Sequence, residues 1–486
     1  ESQERMAVVV RAADEAKFIQ LAAEENLEAY RVAEVTDTAR LVMKMNDQTV
    51  VDLARRFIDT SGVRQEANVE IATLEGANPF GCDKPLTKEA ILATMAEPNV
   101  CCQKGLGEMF DASIGSTTVL MPYGGKTQLT PAQASVQKLP VLDGKTTTCS
   151  VLTYGFNPRI MEYSTYVGAM DSVLESMAKT VACGGDWERI HFSFQEYFER
   201  LNQDPQRWGK VTEALLGAMQ VQDYFQKAAI GGKDSMSGTF NDKHVVPTLI
   251  SFACSDAKTN NIITPQLKTQ GNRLVVFKPQ ISEEGLPELS SYKTMFEAVS
   301  EGIRQGTIIS AYVGEEGGAL AALFKMSFGN RLGFAIEGGQ ELLQLQPGLI
   351  VAEVTPQFAD EHAAVIGEVK AEPQYRINEL KLSQDEVLAA WMGTFGSLYP
   401  VYSKGEAQTL PIRDQKRKQD YLCRQSSAEV RVLIPVFPGS NCEYDTRRAF
   451  EEEGAKVTIF VFRNQNEQAI FDSIDQMAAL LDNSHI

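Results

Sequence analysis

The sequence predicts a mixed α/β chain of several domains, and three observations carry that prediction. The length of 486 residues suits about three domains of ~150 residues each. From Val430 the pattern runs strand, tight turn, helix, strand, the opening β-α-β of a doubly wound sheet. An order of elements near the N-terminus recurs near residue 349, as a tandem duplication leaves it. The apolar fraction, 43%, with moderate charge, is that of an ordinary soluble globular protein.

Taken in order, residues 1–66 read as the end of a domain, with a strand at 6–10, a helix at 14–24 and a strand at 28–35. The recurrence sets "MAVVV", a helix, Ala33-Glu34-Val35 and "VVDLARRF" against a later series. That series is "LIVAEV" at 349–354, a short helix, Gly367-Glu368-Val369 and "VLAAW". Residues 67–106 read as a linker, because 78–85 is polar and carries Pro and Gly. In the unit 107–265, Val167, Met170, Val173, Leu174, Met177 and Val181 share one helical face, and Gly184-Gly185 stops the helix. A second helix is expected at 211–229 and a strand at 245–254. The unit 272–404 opens with an amphipathic helix through Met295, Phe296, Val299 and Ile303. A charged stretch at 413–424 marks 405–428 as a linker. Residues 429–486 hold the strand "VRVLIPVF", a turn at Pro438-Gly439, a helix at 445–453 and the strand "KVTIFVF". They read as the truncated start of a domain, with most of its sheet missing.

Charge and cysteine usage exclude some partners. A net charge of −18 argues against nucleic acid, whose phosphates require a basic surface. It leaves an anionic small-molecule substrate open, since a local cluster can oppose the global sign. No apolar run approaches the ~20 residues that span a membrane, and no signal peptide precedes the first element. Eight cysteines are scattered without C-x-x-C spacing, and the adjacent pair Cys101-Cys102 has the wrong geometry for zinc. With four histidines, this disfavours transition metals and disulfides, and buried or idle thiols in a reducing cytoplasm are expected.

The run Gly231-Gly232-Lys233-Asp234-Ser235-Met236-Ser237-Gly238 is the most informative stretch. Its glycines permit a turn with positive φ and a close backbone approach to an anion. Lys233, Ser235 and Ser237 offer one charge and two hydroxyls to phosphate or carboxylate oxygens. The first glycine of a Walker A loop is missing and Asp234 follows the Lys, so the run is not a Walker A loop, and read alone it is more often a simple polar turn. Gly231, Gly232, Lys233, Asp234, Ser235 and Ser237 are the candidate phosphate-, nucleotide- or substrate-binding residues.

Four blocks in one order carry a family resemblance: "FDASIGSTTVLMPYGGKTQLTP" (110–131), "FSFQEYFERLNQDPQRWGK" (192–210), "AAIGGKDSMSGTF" (228–240) and "VFPGSNCEYDTRRAFEEEGAKV" (436–457). The chain resembles the long, single-chain form of phosphoribosylformylglycinamidine synthase, from the end of its first synthetase repeat to the start of its glutaminase domain. The resemblance implies a fold similar to aminoimidazole ribonucleotide synthetase. Each repeat of that fold pairs an N-terminal α/β domain with a C-terminal α+β domain, and a class I glutaminase domain follows. It also implies the reaction: ATP phosphorylates the amide oxygen of formylglycinamide ribonucleotide, and ammonia from glutamine displaces phosphate to give the amidine. ATP or ADP and Mg²⁺ are the implied cofactors. The N-terminal repeat and the remainder of the glutaminase domain are the implied partners within one polypeptide.

The same resemblance assigns residues. The family's H-N-H-P and E-x-P-x-G-G-A-A motifs have a decayed counterpart in Gly155-Phe156-Asn157-Pro158, Glu162 and Gly168-Ala169, so no catalytic residue is expected here and the chain alone is expected to be inactive. Asp143 and Glu175 match the carboxylates of an auxiliary Mg²⁺-nucleotide site. Lys179 stands where the family has Asn, and Val313, before Gly314-Glu315-Glu316-Gly317-Gly318, stands where it has a further acid. That site is therefore expected to be degenerate, which leaves an alternative function: a non-catalytic repeat that braces the catalytic one. Asp171, Glu175 and Lys179 also have the i, i+4 spacing of a solvated stripe, worth about 0.3–0.5 kcal/mol. Cys442 is expected to be structural, because the family's glutaminase nucleophile sits in a later C-N-G elbow.

Overall fold

A computed structural model describes residues 5–60, 66–71, 77–81, 84–110, 117–141, 144–402 and 429–486. The chain divides into two compact units, one made of Glu66–Val141 and Lys145–Ala407, the other of Glu1–Gln65, Leu142–Gly144 and Gln408–Ile486.

The larger unit is built on two sheets. The first comprises β1 (Ser135–Lys138), β2 (Thr148–Gly155), β3 (His191–Tyr197), β4 (Ala229–Lys233) and β5 (Thr248–Lys258), in the order β1-β2-β5-β3-β4. All neighbours are antiparallel except β3 and β4, which run parallel. Helix α1 (Thr165–Ala182) lies against β2 and β5, and α2 (Pro205–Phe225) packs on α1. The Ser164 hydroxyl caps α1 by accepting the Val167 N–H, and Gly184, at φ +90, ends it. Its six predicted apolar residues are all buried, but so are Asp171, Glu175 and Lys179. The reason is position: α1 is enclosed by the first sheet, by α2 and by the second sheet, so it has no solvated face. The solvated-stripe expectation is overturned.

The second sheet comprises β6 (Arg273–Phe277), β7 (Ile308–Val313), β8 (Gly333–Ile336), β9 (Ile350–Val354), β10 (Ala363–Lys370), β11 (Gln374–Ile377) and β12 (Leu380–Ser383). Their order is β7-β9-β6-β10-β8-β11-β12. Helix α3 (Leu289–Arg304) buries the predicted Met295, Phe296, Val299 and Ile303, and α4 (Gly318–Phe328) is buried along its whole length. One apolar core runs through both sheets, from Phe192 and Leu174 to Phe277, Phe296 and Val313. A capping box of Ser383 and Glu386 starts α5 (Gln384–Gly393), on which the helix Lys88–Met95 packs.

In the smaller unit the strand Arg431–Val436 pairs in parallel with Lys456–Val461, and the helices Glu443–Glu452 and Glu467–Leu481 follow the strands. That is a β-α-β opening. The strands expected at 6–10 and 28–35 do not form: an apolar run becomes a strand only beside a partner's N–H and C=O groups, and none pairs with it among the described residues. The expected short helix after residue 354 is likewise a turn. What recurs structurally is a later element. The hairpin Arg40–Met45/Gln48–Ala54 turns through Asn46 and Asp47, both at positive φ, and leads into the helix Arg55–Ile58. The hairpin β11–β12 turns through Asn378, also at positive φ, and leads into α5.

Candidate functional site

The glycine-rich run straddles a sheet edge, where a simple turn was expected. Gly231, Gly232 and Lys233 lie on the edge strand β4, and residues 234–238 form the loop that follows. Only Gly231 has positive φ, at +150. Gly232 is required for another reason: a Cβ there would stand 2.2 Å from the Phe194 carbonyl oxygen of β3. The loop is pinned by backbone. The Ser235 N–H donates to the Glu196 carbonyl at 3.1 Å, and the Phe198 and Gly238 N–H groups close further bonds to the Ser235 and Phe198 carbonyls, each at 2.9 Å. The Ser235 and Ser237 hydroxyls hydrogen-bond each other at 2.8 Å. Lys233 and Asp234 are exposed. The arrangement offers an ammonium and two hydroxyls to an anionic group.

Behind the run lies Glu196, which sequence reasoning missed. It is 6% exposed and its Oε1 has no hydrogen-bond partner. Burial first, and then the nearby Asp234, push its pKa up to about 7. A signal was present in "FSFQEYF", where Phe192, Phe194 and Glu196 alternate onto one strand face and so carry a carboxyl toward the core.

A second site occupies a cavity of about 770 Å³ between the two sheets of the larger unit, lined by Tyr123, Tyr154, Phe156, Tyr312 and charged groups from α1, α4 and the β7–α4 loop. In that loop Gly317 and Gly318 both have positive φ, which turns Glu315 and Glu316 into the cavity's wall. The Lys179 ammonium stands 2.6 Å from Glu175 Oε1 and 2.7 Å from Glu315 Oε1, and 4.5 Å from the Tyr154 ring centre. Glu175 Oε2 accepts the Phe156 N–H at 3.1 Å. Lys325 lies 3.6 Å from Glu315, and Glu316 takes Arg159 at 3.0 Å and the Asn157 amide at 3.3 Å. Thus Gly155-Phe156-Asn157-Pro158, the segment expected to be a decayed motif, serves as a scaffold for this cluster, with Asn157 also capping the helix Pro158–Tyr163.

The charges follow from the geometry. Burial works against the Lys179 ammonium, yet Glu175 and then Glu315 hold its pKa above the ordinary lysine range. Burial lifts Glu315, but Lys179 and Lys325 together bring it down to about 2. The Asp171 carboxyl also faces the cavity, and burial and then Glu175 drive it well above the carboxylate range. Lys325 was legible as the single charge in the otherwise apolar "GALAALFKMSF"; Arg159 and Glu316 carried no signal beyond their neighbours. Of the two expected metal carboxylates, Glu175 is in the cavity and bound to Lys179, while Asp143 lies outside the described residues. Among the described residues no three His, Cys, Asp or Glu side chains cluster as a metal site.

Cys442 follows the first strand of the smaller unit at φ +65, with an exposed thiol 3.4 Å from Asn441 Oδ1. It contributes to no core, so burial does not account for it. Cys101, Cys102, Cys149 and Cys183 are buried, and Cys254 is exposed. No helix among the described residues is long and apolar enough to cross a membrane.

Residues 1–46 match the family model described as AIR synthase related protein, C-terminal domain. The chain is 24% identical over 464 residues to phosphoribosylformylglycinamidine synthase subunit PurL of Methanococcus aeolicus, covering 86% of this chain and 57% of the relative. Against the same subunit of Thermoplasma volcanium it is 22% identical, covering 80% and 55%. The chain therefore spans about half the length of the curated relatives it matches. Among solved structures, Thermotoga maritima PurL complexed with ATP superposes with a TM-score of 0.53 at 17% identity, covering 76% of this chain and 55% of that one. The same protein complexed with FGAR gives 0.53 at 16%, covering 75% and 52%. By sequence and by fold the chain is similar to PurL, and its fold is the AIR-synthase-like synthetase fold of mixed α/β content.

Proposed function

We propose that this chain forms part of the synthetase core of an ATP-dependent carbon–nitrogen ligase that makes formylglycinamidine ribonucleotide from formylglycinamide ribonucleotide, with glutamine as nitrogen donor. The observation that carries this reading is the likeness to PurL across 86% of the chain, with the run Gly231–Gly238 set on a sheet edge inside it. The long single-chain arrangement, the nucleotide cofactor and the glutaminase identity of residues 429–486 belong to the same proposal. So do the reducing, cytoplasmic setting and the small-molecule substrate.

In the reaction, the amide oxygen of the substrate attacks the γ-phosphorus of ATP and ADP leaves. Ammonia then adds to the activated carbon, and phosphate departs with the former amide oxygen. The demand on the protein is to hold phosphate-bearing groups and keep water from the activated amide. Lys233, with the hydroxyls of Ser235 and Ser237, is suited to the first task, as a point charge with two donors on a pinned loop. The test is ADP release dependent on formylglycinamide ribonucleotide by the full-length protein. Lys233→Ala is expected to raise KM for the substrate about 10-fold or more, the loss of one charge-assisted bond of about 1.5–3 kcal/mol. An unchanged KM would remove the run from the site.

A second reading, a bracing repeat with a degenerate nucleotide site, is favoured by one observation. Lys179 holds Glu175 of the first sheet's helix and Glu315 of the second sheet's loop together. The two readings are compatible within one enzyme.

A further inference from the structure

The family likeness implies a Mg²⁺-nucleotide in the cavity between the sheets, and the residues present do not fit one. Glu175 would be the ligand from α1, yet its Oε1 already holds the Lys179 ammonium at 2.6 Å and its Oε2 the Phe156 N–H at 3.1 Å. The same ammonium reaches Glu315 Oε1 at 2.7 Å. It therefore bridges one carboxylate from each half of the unit, as a bound divalent ion does. We propose that Lys179 is a built-in counter-cation standing in the metal's place, so that this seam closes without a divalent ion and admits no Mg²⁺-nucleotide.

Three features support the substitution. Lys179 is 2% exposed, and the Tyr154 ring, 4.5 Å from its ammonium, packs it against the carboxylates. The remaining ionised groups are already matched. Lys325 lies beside Glu315, and Arg159 with the Asn157 amide takes Glu316. That leaves three cations facing three carboxylates. Asp171, the fourth carboxyl, is raised well above the ordinary carboxylate range by burial, then by Glu175 and Glu316, with Lys179 opposing. A divalent ion would meet an ammonium at contact distance, and the phosphates it carries would meet a wall of carboxylates. Replacing a metal by a tethered cation also removes the loss of translational freedom that each binding event incurs.

The experiment uses the whole chain and two measurements. Calorimetric titration of the unaltered protein with Mg-ADP is expected to give no saturable heat that depends on Glu175; saturable binding that Glu175→Gln abolishes would overturn the proposal. Thermal unfolding of Lys179→Asn is then followed with and without MgCl2. The variant is expected to melt below the unaltered protein and to recover part of the difference when Mg²⁺ is added, while the unaltered protein does not shift. A folded variant that responds to Mg²⁺ no more than the unaltered protein would also overturn it. If the variant does not fold, the titration of the unaltered protein decides alone. Mg-ADP binding that depends on Glu175 would refute the counter-cation and leave the synthetase reading untouched, because that reading rests on ADP release by the full-length protein.

Discussion

Three carboxylates in this chain have three different fates, and the difference lies in their partners. Glu353, on β9 and fully buried, accepts from the Lys268 and Thr269 N–H groups, the Asn272 amide and the Ser310 hydroxyl. Glu353→Leu should destabilise the protein by about 2–4 kcal/mol in denaturant unfolding, since it orphans two buried donors, the Asn272 amide and the Ser310 hydroxyl, at about 1–3 kcal/mol each. Glu315 owes its charge to Lys179 and Lys325, which hold its pKa near 2 against the ordinary 4.5. Its contribution to stability is present above pH 4.5 and is lost as the pH falls through 2. Glu315→Gln should therefore flatten the acid limb of the stability profile in that window. Glu196 is the reverse case, because its pKa is raised to about 7. Between pH 4.5 and 7 the folded form holds a proton that the unfolded form has lost, so stability falls as pH rises through that interval. Glu196→Gln should remove this slope and leave the protein more stable than the unaltered chain above pH 7. An unchanged slope would show that another group, not Glu196, produces it.

At the scale of elements, the helices were the most legible part of the sequence. Their 3.6-residue apolar spacing in α1 and α3 is a local property, and each has its own stop or cap. The start of α2 was read too late because its first turns are polar, "PQRWGK"; the informative residues were Asp204, whose carboxylate accepts the Gln206 and Arg207 N–H groups, and Pro205 at the first helical position. Asp204→Ala should cost about 1 kcal/mol in thermal unfolding. Strands were less legible, because pairing is decided by neighbours distant in sequence. The valine-rich segment at 6–10 has every local mark of a strand and no partner among the described residues. The glycine-rich run was recognised as a site candidate, but its placement on the edge of a sheet depended on β3, some thirty-eight residues earlier by the pairing of Gln195 with Lys233. The charged cavity was legible only through its components on α1. That Lys179 faces inward, and meets Glu315 rather than water, follows from the second sheet closing over α1, which no window of sequence contains.

For the molecule as a whole, the two sheets of the larger unit share a core and a polar seam, and the seam is made of charges that neutralise one another. Such a seam fixes relative position more than it adds net stability, because desolvation offsets much of the attraction between buried ions. That suits the role proposed for the chain, a repeat that presents one wall of a synthetase cleft. In the proposed reaction an amide oxygen is transferred to phosphate, with the run at Gly231–Gly238 as its proposed phosphate-binding element. The most direct test follows that atom. Formylglycinamide ribonucleotide labelled with ¹⁸O at the reacting amide is incubated with ATP, glutamine and the full-length protein, and the inorganic phosphate is analysed by mass spectrometry. The account predicts that the label appears in the released phosphate in step with amidine formation. Phosphate released without the label, or amidine formed without ATP cleavage, would contradict it.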